Sequence, residues 1–266
     1  MNEFNNELIK ELPDELKRKI LEAARLIKSA KRVTAFSGAG ISVESGIPPF
    51  RGENGLWNKM SPDFIEINHF LARPEESWVL IKEIFYDYFG KAKPNDAHIA
   101  LAQLEKLNLL HSIITQNIDN LHTVAGSETV YEFHGNSRDL VCLKCNYSYP
   151  VSTVNFNNLP PLCKKCRGLL KPDFVFFGEP IPEPAGSNSF LDAKQSDLFL
   201  IVGTTGEIMP ASVIPRQAKL NNAKIIEINI APSAFTDSIT DIFLQGKATV
   251  ILKHLLDACQ NQSLNP

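Results

Sequence analysis

The sequence lacks three features that would point to particular partners. It has no excess of basic charge, because 27 lysines and arginines stand against 30 acidic residues, for a formal net charge of −3. It has no apolar run that approaches the roughly 20 residues needed to cross a bilayer. Its N-terminus is polar and acidic, unlike a secretory signal. We therefore expect no nucleic-acid partner, no membrane association and a cytoplasmic location.

Cysteine is scarce, with five residues in a chain of 266. Four of them form two Cys-Xaa-Xaa-Cys pairs, Cys142/Cys145 and Cys163/Cys166, with 17 residues between the pairs. Two such pairs can complete the tetrahedron of thiolates that Zn²⁺ prefers. Because four thiolates leave no position for water or substrate, we predict a structural zinc that holds a small ribbon at residues 136–172. A redox role for one pair is the weaker alternative.

Strand-like apolar runs alternate with helical patterns along the chain. The runs are 33–36, 110–115, 130–134, 174–177, 197–202 and 225–228, and apolar side chains at helical spacing mark 14–30, 94–107, 211–222 and 249–259. This alternation is typical of an α/β fold with a mainly parallel sheet. Residues 62–90 are rich in aromatic side chains without strand alternation, so we expect helices whose aromatic residues pack in a core.

Four segments follow predicted strands, at the sheet edge where parallel sheets bind ligands. They are residues 38–42, 116–119 and 203–205, and Asn229. In the first, a Gly-Ala-Gly turn could let backbone N–H groups approach a pyrophosphate. The dinucleotide-binding pattern is incomplete because Val43 stands at the third glycine position, so a simple turn at Gly38 and Gly40 stays open.

The polar residues of these segments form a second constellation. It comprises Gln116, Asn117, Asp119 and His134, alongside Ser42, Phe50 and Arg51. His134 ends a predicted strand just before the zinc ribbon, and an imidazole can accept a proton from a hydroxyl near neutral pH. A structural role is the alternative for a histidine that precedes a glycine. We expect His122 to lie on a helix and to pack inward, and we assign no such setting to the other histidines.

Several motifs occur together in one order. They are GAGIS (38–42), FRG (50–52), TQNIDNLH (115–122), FHG (133–135), the four cysteines, KPDFVFFGE (171–179) and VGTT (202–205). Over roughly residues 30–256 the chain resembles the sirtuins, the family of NAD-dependent protein lysine deacylases. The resemblance implies an α/β fold: an inverted Rossmann-like parallel sheet domain, with a smaller lobe made of a zinc ribbon and a helical insert.

The resemblance also implies the division of the chain. A catalytic core of residues 14–256 would have a large NAD-binding lobe (about 14–49, 94–135 and 173–256). The small lobe would combine the helical insert (about 53–93) with the zinc ribbon (136–172), and residues 257–266 would be a tail.

The resemblance implies NAD as a consumed co-substrate and acyl-lysine proteins or peptides as partners. In the family the acyl oxygen attacks the anomeric carbon of the nicotinamide ribose, nicotinamide leaves, and the products are free lysine and O-acyl-ADP-ribose. The catalytic residues implied here are the base His134, with Asn117 and Asp119. Cofactor contacts are implied for Gly38, Ala39, Gly40, Ser42, Phe50, Arg51, Gln116, Asn117, Ile118, Asp119, Gly203, Thr204, Thr205, Asn229, Lys247 and Ala248. Substrate contacts are implied for His134, Val175, Phe176, Phe177, Gly178 and Glu179, where a peptide could add as a strand.

Three departures from the family pattern bear on specificity. Thr205 stands where serine is commoner, and Asn120 replaces a frequent glycine, although asparagine tolerates the same left-handed backbone. Members that prefer succinyl or malonyl groups carry Tyr-Xaa-Xaa-Arg, whereas residues 86–89 here read YDYF, without the arginine. A carboxylate there would be desolvated unpaired. We therefore expect acetyl or longer apolar acyl groups to be preferred.

Two other functions compete with deacylation. The first is an ADP-ribosyltransferase or NAD hydrolase that uses the same cleft without productive capture by an acyl-lysine. The second is a non-catalytic NAD-sensing or zinc-ribbon binding protein. Dependence of nicotinamide release on an acyl peptide would distinguish deacylation from the first. The presence of both His134 and Asn117 disfavours the second.

Overall fold

A computed structural model describes residues 12–50, 55–58 and 61–261, with the backbone alone at positions 57, 88 and 89. Its strands are β1 (Val33–Ser37), β2 (Ser112–Thr115), β3 (Val130–Glu132), β4 (Gly135–Cys142), β5 (Ser148–Pro150), β6 (Leu170–Phe174), β7 (Leu198–Val202), β8 (Lys224–Asn229) and β9 (Ile242–Gln245). Its α-helices are α1 (Asp14–Ser29), α2 (Ile67–Ala72), α3 (Pro74–Ile81), α4 (Asp96–Lys106), α5 (Leu121–Val124), α6 (Ala185–Gln195), α7 (Val213–Leu220) and α8 (Ala248–Gln260).

Six strands form a parallel sheet in the order β3-β2-β1-β7-β8-β9. The central strands β1 and β7 are buried along their whole length, which explains why the latter reads as the unbroken apolar run LFLIV. Helices α1, α4 and α8 share one buried cluster with this sheet, and α6 and α7 share the other. The prediction of an α/β fold with a parallel sheet is therefore confirmed.

Strands β4, β5 and β6 form a separate antiparallel sheet in the order β5-β4-β6. This sheet packs against the helical insert through an aromatic cluster that includes Phe64, Phe70, Trp78 and Phe85. The indole N–H of Trp78 donates a 2.9 Å hydrogen bond to the carbonyl of Leu170 in β6. The prediction that these aromatic residues belong to a core is confirmed.

Several boundaries differ from those expected. The run 174–177 was expected to be a strand, but β6 ends at Phe174 because that is the last residue paired with β4. Helix α8 continues to Gln260, so the boundary expected at residue 256 falls inside it, while residues 262–266 lie outside the described part. Short β9 and the polar helix α6 have weak apolar patterns and were not predicted. Among the described residues, no helix is long and apolar enough to cross a membrane.

Candidate active site

The loops that follow β1 and β7 pack directly against each other at the carboxyl edge of the sheet. The N–H of Gly40 donates a 2.8 Å hydrogen bond to the carbonyl of Gly203, and the N–H of Gly38 donates to Val202. A Cβ atom at Gly40 would lie 2.7 Å from the Cα of Gly203. Glycine is therefore needed at these two positions because the neighbouring loop packs so closely against them. The N–H groups of both glycines already have acceptors. These two N–H groups are therefore not the ones that could approach a pyrophosphate, and the cofactor contacts expected for this turn stay a prediction.

Ser42 is the polar centre of the site. It lies in a 3₁₀ helix, Ala39–Ser45, and its Oγ donates a 2.6 Å hydrogen bond to Oδ2 of Asp119. The same Oγ accepts a 3.2 Å hydrogen bond from Nδ2 of Asn117, which also donates to the carbonyl of Gly38. The predicted neighbours from β1 and β2 therefore meet, as strand ends of a parallel sheet should.

Asp119 is a largely buried carboxylate held by two donors. Besides Ser42, the backbone N–H of Leu121 donates to its Oδ1 at 2.9 Å. Burial raises the pKa of the Asp119 carboxyl, and the hydrogen bonds from Ser42 and Leu121 oppose that rise. Asn120 adopts φ of 63°, the left-handed conformation that asparagine tolerates, and so permits the turn between Asp119 and α5.

His134 lies between β3 and β4, and its Nδ1 is 3.1 Å from the carbonyl oxygen of Gln116. Because a carbonyl only accepts, Nδ1 carries the proton and Nε2 keeps its lone pair. Burial lowers the pKa of His134, and the hydrogen bond to Gln116 acts in the opposite direction. The imidazole is therefore neutral near pH 7, bound to the residue next to Asn117, and chemically able to accept a proton at Nε2.

Three strand ends are connected by hydrogen bonds among Gln116, Thr204 and Asn229. The Nε2 of Gln116 donates to the Oγ1 of Thr204 at 3.1 Å, and the Nδ2 of Asn229 donates to the Thr204 carbonyl at 3.0 Å. Thr205 points elsewhere, its hydroxyl 3.4 Å from a carboxylate oxygen of Glu207. These residues fix the loop after β7 between its two neighbours.

The remaining expected cofactor residues are spread around this centre. Lys247 precedes α8, and its Nζ lies 3.0 Å from an Oε1 of Glu44 in the 3₁₀ helix after β1. Ala248 is buried as the first residue of α8. Arg51 lies outside the described residues.

A cavity opens beside Ser42, between the parallel sheet and the helical insert. The described residues that line it are Ala39, Ser42, Ile47, Phe50, Phe85, Gly90, Ala92, Asn117, Ile118, Asp119 and Ser137. His134 is not among the described residues that line it; its Nδ1 is hydrogen-bonded to Gln116, whose neighbour in the chain, Asn117, lines the cavity. The lining residues that were not predicted are Ile47, Phe85, Gly90, Ala92 and Ser137. They come from the loop after β1, the helical insert and β4, where no local signal marks them.

His98 was also missed. Its Nε2 lies 3.4 Å from the Oγ of Ser42, although α4 was predicted without any histidine role. Its ring packs edge-on to that of His122, with centroids 4.9 Å apart, and both side chains are buried. Burial lowers the pKa of His98 to about 4 and that of His122 well below its usual value. The prediction that His122 packs inward from a helix is confirmed.

The segment expected to bind a peptide continues from β6. The N–H of Val175 donates to the carbonyl of His134 at 2.8 Å, and the N–H of Phe177 donates to Ile65 at 2.9 Å. Phe176 is fully buried, whereas Phe177 is 41% exposed. The segment is therefore not a bare strand edge: the N–H groups of Val175, Phe176 and Phe177 are all bonded, and the side chains alternate between the core and the surface.

The four paired cysteines converge at one end of the ribbon. Their Sγ atoms all lie within 4.8 Å of one another, with Cys145 and Cys163 at 3.7 Å. Four thiolates about 2.3 Å from a tetrahedral zinc would be about 3.8 Å apart, so the cluster fits this metal. The two pairs come from the turn after β4 and the turn before β6, and a metal held by all four would join them.

Comparison with known proteins agrees with this geometry. The family model described as the Sir2 family matches residues 38–210. The NAD-dependent protein deacylase 2 of Pyrobaculum aerophilum is 42% identical over 241 residues, which cover 89% of this chain and 94% of that protein. A Sir2 homologue mutant solved with ADP-ribose superposes with a TM-score of 0.86 at 36% identity, covering 92% and 98% of the two chains. A Sir2 protein bound to a propionylated peptide superposes with a TM-score of 0.82 at 31% identity, and the match covers 90% of this chain and 98% of that chain.

The fold and the comparisons thus define a dinucleotide-dependent enzyme with four cysteines placed to hold a structural metal. The chain belongs to the Sir2 family, the sirtuins, which are NAD-dependent protein lysine deacylases. The predictions of a sirtuin, of an enzyme that uses NAD, and of four cysteines placed for a structural zinc are confirmed.

Proposed function

We propose that this chain removes acetyl or longer apolar acyl groups from lysine side chains of proteins or peptides. The acyl group is transferred to ADP-ribose and nicotinamide is released. The observation that carries the proposal is the hydrogen bond of His134, whose Nδ1–H donates to the carbonyl of Gln116 and whose Nε2 is therefore a proton acceptor. In this role Nε2 takes the proton of a ribose hydroxyl as that hydroxyl attacks the acyl carbon.

The residues that surround Ser42 have matching roles in this proposal. Asn117 and Asp119 orient the nicotinamide ribose, and their positions are fixed in advance by Ser42. Gln116, Thr204 and Asn229 form one hydrogen-bonded unit that would bind the adenosine half, together with Thr205, Lys247 and Ala248. Phe50 lines the cavity and would shield the reacting carbon from water.

The acyl preference is supported by the composition of the cavity. Ile47, Phe50, Phe85 and Ile118 supply apolar surface, and no lysine or arginine of the described residues lines it. A succinyl or malonyl carboxylate would lose hydration there without gaining a cationic partner among the described residues. The propionylated peptide held by the related structure carries an acyl group of the favoured kind.

The segment 86–89 gives a second reason. Tyr86 stacks against both Trp78 and Phe156, with ring centroids 6.3 and 5.2 Å away, and those two rings lie 5.8 Å from each other. Asp87 pairs with Lys82 at the surface. Neither residue 86 nor residue 87 supplies a positive charge for an acyl carboxylate, and the side chains of residues 88 and 89 lie outside the described part.

We also propose the division into two lobes. Among the described residues, the buried members of the aromatic cluster come from 64–85 in the insert and from 140–176, in the ribbon and just after it, which supports an insert and a zinc ribbon that form one unit. A cytoplasmic location stays a prediction.

The experiment measures nicotinamide release from NAD in the presence of acetyl, butyryl and succinyl forms of one lysine peptide, with the unmodified peptide as control. Acetyl and butyryl peptides should drive release, with O-acyl-ADP-ribose detected by mass spectrometry. Equal release without any acyl peptide would instead identify an NAD hydrolase. Succinyl removal as fast as acetyl removal would overturn the acyl preference.

A further inference from the structure

Lys171 is a buried cation at the point where β6 leaves the zinc ribbon. Its side chain is only 4% exposed, and its Nζ lies 2.9 Å from Oε2 of Glu179. The same Nζ donates hydrogen bonds to the carbonyls of Pro172 (2.8 Å) and Phe174 (2.7 Å). These three acceptors match the three N–H groups of an ammonium ion. The nitrogen also lies 4.1 Å from the centre of the Phe176 ring.

Glu179 completes the arrangement from the other end of the segment. Its Oε2 accepts a 2.8 Å hydrogen bond from the N–H of Phe176, in addition to the ammonium of Lys171. The N–H of Glu179 donates to the carbonyl of Phe176 at 3.0 Å. One ion pair therefore fixes the carbonyl of Phe174 and the N–H of Phe176, which bracket Val175.

The segment so fixed connects two parts of the proposed site. The N–H of Val175 donates to the carbonyl of His134, and Gly135 pairs with Phe174. Phe177 exchanges hydrogen bonds with the helical insert, at the carbonyl of Ile65 and the N–H of Ile67. A shift of Val175 would therefore displace both the backbone of His134 and the surface that an acyl-lysine peptide would occupy.

We propose that Lys171 and Glu179 are positioning residues for the acyl-lysine substrate. Neither touches the reacting atoms. Together they hold residues 174–178 in the conformation that binds the peptide and supports His134. This inference rests on the proposed deacylase function and deepens it, because it assigns the geometry of the peptide-binding segment to a buried ion pair outside the cavity.

A buried ion pair is costly to break from one side, because the remaining charge loses its partner. In Lys171→Met the carboxylate of Glu179 would lose the ammonium ion, and the carbonyl of Phe174 would lose its donor. In Glu179→Gln an oxygen remains for the N–H of Phe176, but the attraction to Lys171 is gone. The first change should therefore affect peptide binding more than the second.

The test compares wild type, Lys171→Met and Glu179→Gln. Lys164→Met is the matched control, since this exposed ribbon lysine only donates to the carbonyl of Thr153. Each protein is checked for folding and zinc content, and the dissociation constant of a labelled acetyl-lysine peptide is measured by fluorescence anisotropy. The KM values for peptide and for NAD follow from nicotinamide release.

We expect Lys171→Met to raise the peptide dissociation constant and peptide KM by roughly tenfold, and to change the KM for NAD by less than about twofold. Glu179→Gln should show a smaller rise, and Lys164→Met none. Unchanged peptide binding in folded Lys171→Met would overturn the inference, as would an equal rise in both KM values. If Lys171→Met does not fold, Glu179→Gln decides by the same criteria.

Failure of the proposed function would look different. A wild-type protein that binds the acetyl peptide without releasing nicotinamide would overturn deacylation, while the binding comparison would still decide the role of the ion pair. A wild-type protein that does not bind the peptide would overturn both.

Discussion

The Oγ of Ser42 donates a 2.6 Å hydrogen bond to Oδ2 of Asp119, and this contact joins the loops that follow β1 and β2. Asn117 donates to the same oxygen of Ser42. A single hydroxyl therefore sets the position of the two polar residues to which we assign the nicotinamide ribose. The carboxylate is held in place before any ligand arrives, so little reorganisation is needed when one binds.

Replacing Ser42 with alanine should lower kcat/KM for NAD by roughly 10- to 100-fold, because a hydrogen bond to a charged group contributes about 1.5–3 kcal/mol. The measurement is steady-state release of nicotinamide with varied NAD. Ser45→Ala is the matched control from the same 3₁₀ helix, since its hydroxyl only accepts from Asn95. An equal loss in both variants would contradict the special role of Ser42.

Removing the metal should unfold the ribbon and abolish activity. The four cysteines hold the turns that precede β6 and follow β4, and β6 leads directly to the segment beside His134. We expect one zinc per chain by elemental analysis, and a loss of several kcal/mol of stability in Cys163→Ala. Cys259→Ala, which removes the buried cysteine of α8, should keep its zinc. A metal-free chain with an unchanged melting temperature would contradict this prediction.

The decrease of kcat/KM at acid pH should report the protonation of His134. Only the neutral imidazole can accept a proton, so kcat/KM falls as pH decreases through the pKa of this group. Because burial lowers that pKa, this decrease should have an apparent pKa below the ordinary 6.5. The profile of kcat/KM is measured from pH 4.5 to 8 on protein shown to stay folded. An apparent pKa above 6.5 for this decrease in kcat/KM would argue against His134 as the base.

Acid should also destabilise the fold through His98. Burial lowers its pKa to about 4 in the folded chain, so below pH 6.5 the unfolded chain binds more protons. The stabilisation by neutral His98 is complete above pH 6.5 and is lost progressively as pH falls towards 4, up to about 3 kcal/mol.

Urea unfolding at pH 7 and pH 4.5 measures this loss. His98→Gln should reduce the difference in unfolding free energy between the two pH values. The same pH difference in wild type and His98→Gln would contradict the assignment.

Much of the site could be predicted from sequence because its signals are local. The spacing of the cysteine pairs needs no tertiary information, and the rule about strand ends brought residues 38–42 and 116–119 together correctly. Asn120 could be assigned a left-handed backbone from its residue type alone.

What the sequence did not reveal depends on distant partners. His98 contacts Ser42 from 56 residues away, and nothing in the pattern of α4 marks that contact. The N–H groups of Gly38 and Gly40 donate to Val202 and Gly203, and no local pattern in the sequence predicts these contacts with the end of β7 and the loop after it. The strand expected at 174–177 ends at Phe174, because pairing with β4 rather than apolar composition decides where β6 stops.

The most direct test of the central claim is His134→Ala, with turnover of an acetyl-lysine peptide and NAD affinity measured on the same preparation. We predict that turnover falls by roughly 10²- to 10⁴-fold, as expected for loss of a general base, while the dissociation constant for NAD changes by less than about twofold. Turnover close to wild type in a folded, zinc-containing His134→Ala protein would contradict the account.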